Sequence, residues 1–204
     1  MEDSYRPNLD YEFPRFVIPG KIEKERRDYF SILNFFSNPS RRDYQWKLIL
    51  CGRPIGSYGE KVLKESDRIN DLMGEKRIEY FKEYVSKCDF DAAMTTATHI
   101  LAPVKKGGYK FGKDSGALYD VFKYNKIGIF DDSYFYDNSL IEKNVLITFK
   151  NRQELHSIFD SIIGGSFSYE QIQNEFESVS SYFNKNKFTA YLKNEIDTYV
   201  HMRV

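Results

Sequence analysis

Six short apolar runs recur along the chain, each followed by a longer stretch with helical spacing. The runs lie at 15–18, 46–51, 77–81, 99–102, 127–130 and 145–149, and most are continuous in Val, Ile, Leu or Phe. Pro19-Gly20, Gly52 and Pro103 stop three of them. Between the first two, Ile22, Tyr29, Ile32, Leu33 and Phe36 recur at helical intervals, which predicts a helix over 22–36. Further helices are predicted over 58–73, over 89–97 with Asp89 as N-cap, over 115–123 opening at Ser115, and over 152–163 closing at Gly164-Gly165. A charged, aromatic tail from Tyr169 to about Val200 also reads as helical.

Continuous apolar strands alternating with helices predict an α/β fold. The expected architecture is a Rossmann-like parallel six-stranded sheet with helices on both faces, a three-layer αβα arrangement. Residues 1–12 read as an N-terminal extension or interdomain linker, 13–165 as the layered domain, and 166–204 as helices packing on it. In open sheets of this type, ligands bind outside the carboxyl ends of the strands. That rule singles out the turns at Gly20, Gly52, 103–115 and Asp131.

Composition narrows the function classes. Lys plus Arg and Asp plus Glu are equal at 30 each, so no basic field offers itself to a nucleic acid backbone. No run approaches the length of a membrane span, and residues 1–10 lack the apolar centre of a signal peptide. Cys51 and Cys88 have no metal-ligand spacing and read as reduced thiols, so the expected location is cytoplasmic. His99, His156 and His201 do not form a ligand set, and neither a metal nor another cofactor is expected. Aromatic residues reach 17%, and core packing explains them first.

The segment 103–116, Pro-Val-Lys-Lys-Gly-Gly-Tyr-Lys-Phe-Gly-Lys-Asp-Ser-Gly, joins a strand to a helix. Gly107, Gly108 and Gly112 permit close approach of a ligand to the backbone. Lys105, Lys106, Lys110 and Lys113 bring positive charge, and Ser115 and Gly116 stand where a helix start favours an anion. Together they suit a diphosphate, although the order of a Walker A loop is absent and a mobile surface loop with solvated lysines is the simpler alternative. Lys21, next to Gly20, is placed to reach a phosphate. Arg26 and Arg27 read as a solvated helix face.

The order of these motifs resembles the C-terminal domain of GT-B glycosyltransferases. The resemblance rests on Pro-Gly-Lys at 19–21, Cys-Gly at 51–52, Ile-Leu-Ala-Pro at 100–103, Asp-Ser-Gly-Ala-Leu-Tyr-Asp-Val at 114–121 and Asn-Lys-Ile-Gly-Ile-Phe-Asp-Asp at 125–132. It runs from about Phe13 to Leu192. It implies that Gly20, Lys21, Lys110, Ser115 and Gly116 hold the donor diphosphate, that Gly52, Arg53, Tyr80 and Tyr84 lie near the nucleotide, and that Asp114 and Asp131 border the cleft. The implied ligand is a nucleotide-diphospho-sugar, and the implied reaction is transfer of a hexose. No catalytic residue is assigned, because the chain has no Glu between Glu83 and Glu142, where many retaining members carry a glutamate pair eight positions apart.

Set beside the family it resembles, the chain is expected to lack an acceptor-binding N-terminal half. The expectation is therefore a domain inactive alone, completed by an N-terminal domain or a partner subunit; peripheral membrane association would belong to the full enzyme. The aromatic positions Phe176, Phe183, Phe188 and Tyr191 suit core packing, or else an exposed face prone to self-association. The alternative reading is a non-catalytic protein-interaction module on the same fold. A receiver-like signalling domain fits poorly, because its first strand should end in acidic residues and this one ends in Pro19-Gly20-Lys21.

Overall fold

A computed structural model describes residues 13–104, 116–132 and 146–183. Six strands form one sheet: β1 (Arg15–Pro19), β2 (Lys47–Cys51), β3 (Ile78–Tyr80), β4 (His99–Ala102), β5 (Ile127–Asp131) and β6 (Leu146–Phe149). Their order is β3-β2-β1-β4-β5-β6, and every pair is parallel. The register sets Phe16 beside Leu48 and His99, and Ile129 beside Leu101 and Ile147. The helices are α1 (Tyr29–Phe36), α2 (Gly56–Met73), α3 (Lys87–Thr96), α4 (Gly116–Lys123), α5 (Arg152–Ile163) and α6 (Glu170–Phe183). This is the expected Rossmann-like, three-layer fold.

Successive side chains of a strand point to opposite faces, and the core divides accordingly. Phe16, Ile18, Leu48 and Leu50 pack with buried residues of α1, α2 and α5. Val17, Ile49 and Cys51 pack with residues of α3, α4 and α6. On the first face Phe159 of α5 is the hub, its ring centroid 5.0–5.4 Å from those of Phe16, Phe35 and Phe36. Trp46 extends that cluster, 4.4 Å from Phe36, and its indole N–H donates to the Arg41 carbonyl at 3.0 Å.

Three helices begin two residues or more from where the sequence predicts, α2 at Gly56 rather than Tyr58. The periodic stretch 22–36 yields a helix only from Tyr29. Residues ahead of it are drawn into sheet-like pairing, through isolated bridges from Ile22 to Pro54 and from Arg27 to Val104. Asp28 caps α1 by accepting the Ser31 N–H at 3.2 Å. Helix α3 starts two residues before Asp89. Ser86 is its cap and accepts the Asp89 N–H at 3.1 Å.

After α5 the chain turns at Gly164-Gly165 and passes the amino edge of the sheet. There the Tyr169 hydroxyl lies 2.9 Å from His99 Nε2, while Thr98 Oγ1 lies 2.7 Å from Nδ1. Helix α6 then runs on the opposite face, where buried Phe176 stacks on Phe122 at 5.5 Å. Phe183, Phe188 and Tyr191 fall outside the described side chains.

Candidate functional site

Helices on the first face follow β1 and β2, whereas α3 and α4 on the second face lead into and out of β4. The connections therefore change face between β1 and β4, the point where open α/β sheets bind ligands. The carboxyl edge there is built largely from backbone. Gly20 adopts a φ of +95°, open to glycine and strained for other residues. Its N–H donates to the Cys51 carbonyl at 2.9 Å. Gly52 is so close that a Cβ on it would stand 1.9 Å from the Gly20 oxygen. Two further bonds at 3.0 Å, Ile22 N–H to the Arg53 carbonyl and Ile55 N–H to the Ile22 carbonyl, extend the pairing past the strands. Gly20, Lys21, Gly52 and Arg53 are thus brought together, with Lys21 and Arg53 exposed.

Beneath this turn lie two buried residues. The Tyr29 hydroxyl sits 3.4 Å from the carbonyl oxygens of both Gly20 and Lys21. Burial pushes its pKa up to about 12, against a lowering pull from the Arg27 charge. Arg27, expected on a solvated helix face, is buried instead. The chain at Arg27-Asp28 also reaches across to β4, where the Asp28 N–H donates to the Pro103 carbonyl at 3.0 Å. Main chain thus spans the boundary between β1 and β4.

Beside that crossing opens a cleft of about 260 Å³. Asp28 and Ser31 border it from α1, Val104 and Asp131 from the strand ends, and Asn151 and Arg152 from the start of α5. Asn151 Oδ1 accepts the Glu154 N–H at 2.9 Å, which fixes the helix start. The arrangement sets two carboxylates, Asp28 and Asp131, and the side chain of Arg152 around one cleft.

The other sequence-assigned residues lie apart or outside the description. Tyr80 donates to Asp67 Oδ1 at 2.7 Å, and burial with that bond raises its pKa to about 12. It borders a separate, larger cleft beside α2, about 860 Å³, with Asn70 and Lys76. Tyr84 is 82% exposed. Gly116 is exposed at the start of α4, with open space where a Cβ would stand. Lys110, Asp114 and Ser115 fall outside the described residues, as does the rest of the 105–115 loop.

On the second face, burial raises the Cys51 thiol to about 12, with Asp120 and Asp89 adding to the effect. At neutral pH it is protonated and a poor nucleophile. Burial likewise raises Asp120 to about 6; Lys123 opposes the shift and Asp91 reinforces it. Among the described residues no group of three or more His, Cys, Asp or Glu is arranged to hold a metal.

No family model and no curated protein matches the chain in sequence. Solved structures do match it in fold. An α,α-trehalose-phosphate synthase (UDP-forming) from Burkholderia xenovorans superposes with a TM-score of 0.65 at 10% identity, over 92% of this chain and 44% of that one. The C-terminal domain of a glycosyl transferase group 1 family protein from Francisella tularensis superposes with a TM-score of 0.59 at 12% identity, over 90% of this chain and 96% of that domain. This is the fold of a glycosyltransferase C-terminal domain. The N-terminal domain of trehalose-6-phosphate phosphatase from Candida albicans shares it, with a TM-score of 0.61 at 15% identity over 92% of this chain and 42% of that one. The chain therefore spans less than half the length of the trehalose-phosphate proteins. No helix among its described residues is long and apolar enough to cross a membrane.

The cleft also contains residues that the sequence did not mark. Asp28, Ser31, Asn151 and Arg152 border the cleft without having been singled out. Asn151 carried a readable signal, since an Asn followed three residues later by Glu154 marks a helix start. Arg27 carried none, because its burial depends on a bridge to a residue 77 positions away.

Proposed function

We propose that the chain is the donor-binding half of a two-part hexosyltransferase and holds a nucleotide-diphospho-sugar at its carboxyl edge. The observation that carries this reading is the glycine turn at the change of face between β1 and β4, with exposed Lys21 on it; the 260 Å³ cleft opens at the Asp28–Pro103 crossing of the same edge. Gly20 and Gly52 let the two turns pack closely, Gly52 against the Gly20 carbonyl and Gly20 against Arg27, and so fix Lys21 at the carboxyl edge. Lys21 supplies positive charge where the leaving diphosphate gains negative charge, stabilising it electrostatically. The same reading assigns Lys110, Ser115 and Gly116 to the diphosphate and Asp114 to the donor site. Asp131 and Asp28 accept hydroxyls of the sugar or ribose, and Gly52 and Arg53 adjoin the nucleoside. The acceptor half is a separate domain or partner subunit, so the chain alone binds donor and transfers little or no sugar.

Calorimetry with uridine and guanosine diphosphates tests this directly. We expect binding at millimolar or lower concentration, weakened roughly tenfold by Lys21→Ala at low salt, as befits one exposed phosphate-contacting charge. Absence of binding by either nucleotide at millimolar concentration removes the reading.

The alternative is a non-catalytic interaction module, favoured by the lack of any Glu between Glu83 and Glu142. Under it, Lys21→Ala leaves nucleotide titrations flat and unchanged, while a second polypeptide co-purifies with the chain.

A further inference from the structure

Arg27 is only 7% exposed. Among the described residues no carboxylate forms an ion pair with it, and its Nε is buried with no hydrogen-bond partner. Nη1 donates to the Lys21 carbonyl at the long distance of 3.4 Å, and the neutral Tyr29 hydroxyl is the other hydrogen-bonding neighbour of the guanidinium. A buried cation whose neighbours are neutral is costly unless something anionic comes to meet it. Its position indicates where that would happen. The guanidinium lies flat against Gly20, where a Cβ would stand 2.6 Å from Nη1 and 3.0 Å from Nη2. The missing side chain at Gly20 is what lets the charge rise directly beneath the turn. Lys21, on that same turn, is exposed.

We propose that Arg27 is the affinity-determining cation of the carboxyl-edge site, acting from beneath the Gly20-Lys21 turn and selecting a diphosphate over a monophosphate. The inference rests on the donor-binding reading and adds to it the residue that measures ligand charge. Lys21 works in water, where salt screens it. Arg27 works in a less polarisable environment, where attraction to each added negative charge is stronger and salt weakens it less. Two cations on one turn thus divide the work. The exposed one contributes a salt-dependent part of affinity, and the buried one a salt-resistant part that grows with phosphate charge.

The test titrates the full chain with inorganic pyrophosphate, inorganic phosphate and uridine diphosphate, comparing wild type with Arg27→Met at low and high salt. We expect Arg27→Met to weaken pyrophosphate at least about tenfold at both salt concentrations, and phosphate by less. The thermal midpoint without ligand should hold or rise, because a buried charge with no counter-charge beside it is gone. A purely structural arginine predicts the opposite pattern, a lower midpoint with pyrophosphate affinity unchanged, and that result overturns the proposal. If wild type binds pyrophosphate but no nucleoside diphosphate, the donor reading fails while the role of Arg27 stands. If wild type and Arg27→Met bind pyrophosphate equally, the role fails while the reading stands. If wild type binds neither, both fail. Should Arg27→Met not fold, the side-chain Nε–H resonance of Arg27 in the wild-type protein serves instead: it should shift on saturation with pyrophosphate, and a stationary resonance overturns the proposal.

Discussion

Gly52 is confined from two directions. Its neighbour Gly20 turns with a positive φ, and the Gly20 oxygen occupies the space a Cβ on Gly52 would need, at 1.9 Å. Backbone cannot yield as a flexible side chain would, so Gly52→Ala forces the two turns apart. We expect a loss of about 3 kcal/mol, at the upper end for overpacking because the obstacle is main chain. Urea unfolding of the variant checks this. Weakened nucleotide binding should accompany the loss, since the displaced turn carries Lys21. The sequence already marked Gly20 and Gly52 as turn residues at strand ends, and that much follows from local chemistry. It could not reveal that the two glycines touch, nor that Arg27 lies beneath one of them. Those facts depend on which strands lie side by side in the sheet, and no local pattern encodes that order.

At the scale of elements, the strands were the most legible part. Each apolar run became a strand with bounds shifted by one residue or less, because continuous burial on two faces leaves few other options for so short a run. The first helix was the least legible. Its apolar spacing extends back to Ile22, yet the pairing of Ile22 with Pro54 and Arg27 with Val104 outcompetes the helix until Asp28 caps it. Tertiary contact overrode a local preference. Association of α5 with α1 depends on one residue more than any other. Phe159 meets Phe16, Phe35 and Phe36 at once, and Phe159→Ala should cost about 3–5 kcal/mol. The denaturation midpoint should fall accordingly. The helical content of the native state should change little, because the lost contacts join elements rather than form them.

For the whole molecule, acid sensitivity follows from the buried histidine at the amino edge. His99 is fully buried, and burial lowers its pKa to about 3. Unfolded, it would protonate near its ordinary value of about 6.5. The unfolded chain therefore takes up a proton that the folded chain refuses. Stability linked to His99 is complete above about pH 6.5 and falls as pH drops toward 3, at no more than about 1.4 kcal/mol per pH unit. Unfolding measured at pH 7, 6 and 5 should show His99→Gln less stable than wild type at pH 7 but losing less on acidification. Equal slopes for the two proteins would contradict the assignment. From sequence, His99 stood at the head of an apolar strand with no sign of its partner, and Tyr169 supplies that partner from 70 residues away.

The sheet ends on one side in β3, which is only three residues long. Such a stub offers an incoming chain too few free peptide groups to continue the ladder, so growth of one molecule onto another through this border is starved at its first step. A neighbouring ion pair between Lys47 and Glu79 at 2.9 Å adds charge alongside it. Concentrated solutions of the protein should accordingly resist fibril formation by way of this border, even though the strands within carry the apolar composition that fibrils favour.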